Sequence, residues 1–346
     1  MTKKSVIDEI NDKFGNGAIM SFTPNSIVNI GSISTGSLAL DHATGIGGVP
    51  RGRITEIMGM EGTGKSTTCL QLIAEAQKSS EKITAYIDPE HAFDPSYAQR
   101  CGVDIERVYI SQPDNGEQAL EICEALVRSE ECSLVIIDSV AALVPKAEID
   151  GEMEDMQVGL QARLMSKAMR KMTGAISKTD TAVVFTNQIR QKIGIMFGSP
   201  NITSGGMALK FYASMRLELK RIQSIKEGGN IVGSIIRFKI IKNKVAPPFG
   251  EAEVEIEHGK GYSTYGEVLD LAVEYGIVSK RASYYFINEE RIGQGRANVK
   301  EMLKDNEELY NELKTQVKEK LSGNVDVISE ENRPIIEPLD QEGEIE

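Results

Sequence analysis

Gly59-Met60-Glu61-Gly62-Thr63-Gly64-Lys65-Ser66 matches the pattern G-x-x-x-x-G-K-[ST]. Such residues at such spacing bind the phosphates of a nucleoside triphosphate. The glycines let backbone N–H groups converge on the β-phosphate, Lys65 reaches the β and γ oxygens, and the Ser66 hydroxyl suits Mg²⁺. The apolar run 54–58 supplies a strand before the loop, and Thr67 opens a helix whose N-terminus favours an anion. A second acidic site is needed on the metal side, and residues 134–138 form an apolar strand ending in Asp138. Hydrolysis also needs a group that orients or deprotonates water. Ile87-Asp88-Pro89-Glu90-His91 follows another apolar run, and on spacing alone Asp88, Glu90 and His91 are equal candidates, with an ordinary solvated loop no less consistent.

These residues need a scaffold that brings several strand ends together. Apolar runs at 54–58, 84–88, 134–138 and 182–187 alternate with helical patterns at 67–77, 116–129 and 160–177, the signature of a mostly parallel α/β sheet. From residue 214 the pattern changes to antiparallel-like strands at 215–222, 233–242 and 251–257, with turns at Gly228-Gly229 and Pro247-Pro248. Residues 5–14 read as an amphipathic helix carrying Val6, Ile7, Ile10 and Phe14 near one face, which must bury that stripe on something. Residues 264–321 mix helical stretches with the aromatic run Tyr284-Tyr285-Phe286, as a small separate domain would. Beyond Gly323 the chain is acidic and aperiodic, which predicts disorder.

Composition bounds the classes. The 346 residues suggest about two domains at roughly 150 residues each. No apolar run approaches the roughly 18 residues of a membrane span, and the start lacks the apolar block of a signal peptide, so a cytoplasmic protein with no membrane partner is expected. Cys69, Cys101, Cys123 and Cys132 lack zinc-site spacing and are expected to be reduced and buried. The net charge of −12 argues at first against nucleic acid. From Arg163 to Lys210, however, eight basic residues face one acidic residue, Asp180. Arg163, Lys167, Arg170 and Lys171 recur at helical spacing and would share a face suited to phosphates. Residues 193–206 hold Gly194, Gly198, Pro200, Gly205 and Gly206, which should prevent regular structure across a long loop that still carries apolar side chains. The acidic run Glu148, Asp150, Glu152, Glu154 and Asp155 suits a flexible loop or a subunit contact instead.

The order of these pieces, read with Ile33-Ser34-Thr35-Gly36-Ser37-Leu38-Ala39-Leu40-Asp41 upstream, closely resembles the bacterial RecA recombinase family. The likeness continues through Ser111-Gln112-Pro113-Asp114, Asp138-Ser139-Val140-Ala141-Ala142-Leu143, Asn187-Gln188-Ile189-Arg190 and Ala208-Leu209-Lys210-Phe211-Tyr212-Ala213-Ser214, covering about residues 15–320. It implies an α/β P-loop ATPase core of RecA type, with a mostly parallel central sheet and a β-rich extension. A short N-terminal helix, a small α/β C-terminal domain and a disordered acidic tail complete the chain. The expected divisions are 1–29 for the oligomerisation helix and linker, 30–263 for the core, 264–322 for the C-terminal domain and 323–346 for the tail.

The resemblance also implies roles. Glu90 is similar to the family's catalytic glutamate, which activates the attacking water. Asp94 and Tyr97 match positions that contact and stack on adenine. Gln188 resembles the sensor of the γ-phosphate. Lys242 and Lys244 match residues that reach ATP of the neighbouring subunit, and Phe211 matches an interface position. On spacing alone, a solvated strand face is the ordinary explanation of Lys242 and Lys244. Two loops, near residues 150–159 and 189–206, would hold single-stranded DNA, with Arg163, Arg170, Ile189, Arg190, Ile193, Gly205 and Gly206 in contact. Met60 stands where proline is common in the family, Met207 where Asn or Arg follows the paired glycines, and the N-terminal helix is shorter than usual.

The implied activity is that of a DNA-dependent ATPase using ATP and Mg²⁺, acting in recombination and DNA repair. A helical filament on single-stranded DNA would pair with homologous double-stranded DNA and exchange strands, promote self-cleavage of an SOS repressor and be served by filament loaders. Two rivals are a nucleotide-gated scaffold whose product is the filament itself, and a related ring helicase. After Gly323 eight acidic residues outnumber the single Arg333, so most of the negative charge belongs to the tail. That tail is expected to compete with duplex DNA for basic surfaces including Arg281, Arg291, Arg296 and Lys300.

Overall fold

The computed structural model describes residues 5–15, 18–19, 30–152, 159–191 and 201–323. Helix α1 (Val6–Phe14) is capped reciprocally: the Ser5 hydroxyl accepts from the Ile7 N–H at 3.2 Å and Asp8 accepts from the Ser5 N–H at 3.2 Å. Val6 and Phe14 are each 69% exposed, so the apolar stripe faces outward from the chain. Strand β1 (Ser32–Ile33), helix α2 (Leu38–Ala43) and strand β2 (Val49–Pro50) lead into the main scaffold.

That scaffold runs β3 (Ile54–Gly59), α3 (Lys65–Ser79), β4 (Ile83–Ile87), α4 (Pro95–Arg100), β5 (Val108–Ser111), α5 (Gly116–Ser129), β6 (Cys132–Ile137), α6 (Lys146–Ile149), α7 (Leu160–Ile176), β7 (Ala182–Gln191) and β8 (Asn201–Thr203). It continues through α8 (Ala208–Tyr212), β9 (Met215–Glu227), β10 (Asn230–Asn243), β11 (Glu251–Glu257) and β12 (Gly261–Tyr262). The sheet order is β12-β11-β10-β9-β3-β7-β6-β4-β5, with β8 added onto β7. Neighbours from β9 to β5 are parallel, whereas β9 to β12 form an antiparallel extension. The mixed α/β fold is thus as expected.

Burial explains the apolar runs. Every residue of β3 and β6 is buried, because helices cover both faces of a parallel sheet. One face packs Ile57, Leu134 and Val184 against Leu72 and Ile73 of α3; the other packs Val135, Ile137 and Phe185 against Leu120 of α5 and Met169 of α7. All four cysteines are free and buried. Among the described residues no helix is long and apolar enough to cross a membrane.

The last segment comprises α9 (Thr264–Glu274), β13 (Ser279–Arg281), β14 (Tyr284–Ile287), β15 (Glu290–Gln294), α10 (Arg296–Asp305) and α11 (Glu307–Gly323) around its own core of Leu269, Val278, Tyr285, Leu303 and Leu313. It is clasped to the scaffold. Ser37 caps α2 by accepting from the Leu40 N–H at 3.1 Å, and the Glu267 carboxylate of α9 accepts from the Ser37 hydroxyl at 2.5 Å and from the N–H groups of Leu38 and Ala39 at 3.0 and 3.2 Å, completing that helix start.

Two expectations are corrected. The segment expected to be irregular through 206 contains β8, whose Thr203, Ile202 and Asn201 pair antiparallel with Ile189, Arg190 and Gln191. Backbone pairing with an existing strand holds β8 despite the glycines around it. Arg296 and Lys300 are not open basic surface: Arg296 pairs with Asp270 and Glu255, each at 2.7 Å, and Lys300 pairs with Glu257. Arg281 is also paired, with Glu289 at 2.7 Å, and Arg291 lies over the Tyr284 ring. The tail expected to compete for these residues lies at 324–346, outside the described residues.

Candidate functional site

The glycine-rich loop joins the carboxyl end of β3 to α3, which starts at Lys65, two residues before the sequence pattern placed it. Lys65, Ser66 and Thr67 therefore occupy the first helical turn. Gly64 precedes that turn at φ +81, and a Cβ there would meet Ile256 Cδ1 at 2.4 Å, so only glycine fits. The helix has no side-chain cap, which leaves its first N–H groups for an anion. Met60, Glu61, Gly62 and Ser66 are exposed, whereas Thr63 is buried and donates to the Met60 carbonyl at 2.8 Å. The Lys65 ammonium donates to the carbonyls of Gly59 and Met60 at 3.2 and 2.9 Å. Burial lowers its pKa, and the carboxylates of Asp138 and Glu90 oppose that shift.

Asp138 lies just beyond β6, between strands that hold both its oxygens. Tyr86 of β4 donates to Oδ2 at 2.6 Å and Thr186 of β7 to Oδ1 at 2.5 Å. Burial and this carboxylate push the Tyr86 phenol well above its usual range, so it stays a donor. The Ser139 hydroxyl donates to Glu90 Oε1 at 2.5 Å. The three acid–base candidates separate geometrically. Asp88 is buried and accepts from the Phe93 N–H at 3.0 Å and the Gln112 amide at 3.3 Å, which makes it a staple of its own loop. His91 is exposed and takes φ +56. Glu90, also exposed, lines a small cavity with Asp88, Ser66, Asp138, Asp94 and Tyr97, and His91 is not among the residues around it.

Asp94 caps α4, accepting from the Ser96 and Tyr97 N–H groups at 2.8 and 3.1 Å. The Tyr97 hydroxyl shares a 2.8 Å hydrogen bond with Thr67 Oγ1, which ties this ring to the first turn of α3. Burial pushes the Tyr97 phenol up to about 12.

Gln188 stands beside the loop by register: Gly59 of β3 is opposite Gln188 of β7. The same strand runs on to Ile189 and Arg190, so the strand paired with the end of β3 also begins the basic segment. Ile189 is buried and Arg190 exposed. Gly205 and Gly206 take φ +79 and +75. Arg163 and Arg170 are exposed on α7, as is Lys167. Lys171, expected on the same free face, is instead ion-paired to Glu124 at 2.5 Å. Ile193 lies outside the described residues.

Lys242, Lys244 and Phe211 form a second cluster. The Lys242 ammonium donates to the carbonyls of Lys210 and Phe211 at 2.7 and 2.9 Å, and that of Lys244 to Phe211 at 3.1 Å. Both lysines thus point to the end of α8 and not to the phosphate loop. Burial, helped by nearby Lys244 and Arg216, lowers the Lys242 pKa to about 8. Phe211 is 64% exposed beside them.

Several residues here escaped the sequence reading. Beneath the loop Glu56 and Arg216 form a buried ion pair at 2.5 Å, and Asn187 donates to Glu56 at 2.9 Å. With Tyr86 and Thr186 these are polar side chains inside apolar strands, and that contrast was the only available signal.

Residues 2–263 match the family model described as the RecA N-terminal domain, and residues 266–322 that of the RecA C-terminal domain. The chain is 55% identical over 303 residues to Protein RecA of Clostridium novyi, covering 88% of this chain and 86% of that protein. It is 56% identical over 306 residues to Protein RecA of Chloroflexus aurantiacus, covering 88% and 87%. Against Protein RecA of Oceanobacillus iheyensis the identity is 56% over 305 residues, covering 88% of each.

Proposed function

The chain belongs to the RecA family, and on that premise we propose that it is an ATP-dependent recombination and DNA repair protein. It assembles as a helical filament on single-stranded DNA, pairs it with homologous duplex and promotes strand exchange, with DNA-dependent hydrolysis of ATP to ADP and phosphate. The observation that carries this reading is the register of Gly59 with Gln188 on a strand that continues into the basic segment.

The N–H groups of residues 59–67 cradle the phosphates, and Lys65 leaves its loop carbonyls to bind the β and γ oxygens. Glu90, oriented by the Ser139 hydroxyl, positions the attacking water and accepts its proton. Tyr97 offers its ring face to adenine, and Asp94 fixes the helix that carries that ring. The exposed Ser66 hydroxyl and the Asp138 carboxylate, held by two hydroxyls, fit Mg²⁺. When bound, that ion neutralises charge on the phosphates. Gln188 senses the γ-phosphate at the strand edge.

Lys242 and Lys244 serve the ATP of an adjacent protomer, with Phe211 in the contact between them. Approach of that triphosphate draws the Lys242 ammonium from its carbonyl partners and raises its pKa. The exposed stripe of α1 covers itself on a neighbouring copy. Arg163, Arg170 and Arg190 take DNA phosphates, the exposed Gly206 offers its backbone N–H, and Ile193 supplies an apolar contact, whereas Ile189 is buried and the Gly205 N–H is already hydrogen-bonded within the chain. The same filament serves as the scaffold on which an SOS repressor cleaves itself, loader proteins assist its assembly, and the compartment is the cytoplasm.

Electron microscopy with single-stranded DNA and a non-hydrolysable ATP analogue tests the assembly. Open helical filaments are expected. Closed rings that unwind strands would support the ring-helicase reading instead.

A further inference from the structure

One carboxamide joins the two halves of the site. Gln161, the second residue of α7, donates from Nε2 to the carbonyls of Val140 at 2.9 Å and Leu143 at 3.3 Å, with that of Ala141 at 3.5 Å. Its Oε1 accepts from the Gly205 N–H at 3.1 Å. The 3₁₀ turn Val140–Ala142 begins directly after Ser139, whose hydroxyl holds Glu90. Gly205 lies two residues beyond β8, and a Cβ there would meet Val140 Cγ1 at 2.8 Å, so the chain rests directly on that turn. Ser204 beside it exchanges two hydrogen bonds of 3.1 Å with Asn187, the residue before Gln188.

We propose that Gln161 is a positioning residue that couples the nucleotide site to the DNA-binding segment by stapling the turn after Ser139 to Gly205. The inference rests on the function proposed above. The chemistry requires an amide. One planar group supplies donors to the carbonyls and an acceptor to an N–H. Glutamate at this position has no donor and sets a charge against carbonyl oxygens, whereas methionine keeps the approximate volume and loses both functions. A shift of the turn that carries Ser139 then moves Gly205, and DNA held by that segment biases the turn in return.

Full-length Gln161→Glu and Gln161→Met proteins test this through two readouts. ATP turnover is measured with and without single-stranded DNA, and hydrogen exchange is followed at the Gly205 amide. The expected result is wild-type ATP affinity and DNA-independent turnover, with DNA stimulation reduced roughly tenfold, as loss of a buried hydrogen bond predicts. Exchange at Gly205 should accelerate by a similar factor in Gln161→Met, which removes its acceptor, and stay near wild type in Gln161→Glu, whose carboxylate still accepts. Full stimulation in both variants, equal losses with and without DNA, or unchanged protection of Gly205 in Gln161→Met would overturn the proposal. Wild-type turnover indifferent to DNA would fail the underlying function and the proposal with it. A stimulated wild type beside unaffected variants would fail the proposal alone.

Discussion

Asp138 keeps its carboxylate between hydroxyls from the strands on either side, and Glu56 keeps its own between Arg216 and Asn187. The first arrangement serves the candidate chemistry and the second the frame beneath it. Glu56 is fully buried, so Glu56→Ala strands the Arg216 charge and should cost about 3–5 kcal/mol of stability. A denaturant midpoint unchanged from wild type would contradict that assignment. The phosphate loop was legible because phosphate binding fixes both residue types and spacing. Tyr86 and Thr186 were not, since tyrosine and threonine are ordinary strand formers and the partner that gives them meaning is distant in sequence. Spacing could not rank Asp88, Glu90 and His91; what the structure adds is that Asp88 is buried and hydrogen-bonded within its own loop while lining the same cavity as Glu90.

At the scale of elements, long buried strands were legible from their apolar runs, and short or half-exposed ones were not. Strand β5 sits at the sheet edge with Tyr109 and Ile110 exposed, and its apolar run Val108-Tyr109-Ile110 is short, so its pattern does not stand out from a loop. β8 exists through its pairing with β7, a contact that no local pattern encodes. Helix α2 is held by acidic groups from two sides. Glu267 completes its start, and Asp41 accepts from Ser34 and Thr35, while Glu75 of α3 adds like charge. Burial raises Asp41 from an ordinary 3.8 to about 6, and raises Glu267 in the same direction. The folded state therefore binds the Asp41 proton more tightly than the unfolded chain, and native stability should fall as pH rises from about 4 to 6. Asp41→Asn retains an acceptor for Thr35 and removes the titration, so its unfolding free energy should depend less steeply on pH across that window. An identical slope in both proteins would contradict the assignment.

For the whole molecule, the charge of −12 divides unevenly, with a basic stretch around α7 and an acidic C-terminal segment. Truncation after Gly323 should strengthen duplex binding at low salt, with the gain fading as salt screens the charges. Unchanged binding would refute competition by that segment. Because Arg296 and Lys300 are tied to Glu255, Glu257 and Asp270, they contribute little free charge to such a surface, whereas Arg291 and the basic face of α7 are exposed. The α/β class of the core was legible from alternating patterns and a shared motif order, whereas the order of strands across the sheet was not. The clasp between α2 and α9 and the ion pairs along β11 were hidden, because they join residues far apart in the chain. The central claim is that a nucleotide site and a DNA site share one strand, β7, and act together. Steady-state ATP turnover of the full chain, with and without single-stranded DNA, tests it most directly. Stimulation by DNA, and silence of Lys65→Ala under both conditions, is the predicted result; equal turnover with and without DNA, or turnover that survives Lys65→Ala, would contradict it.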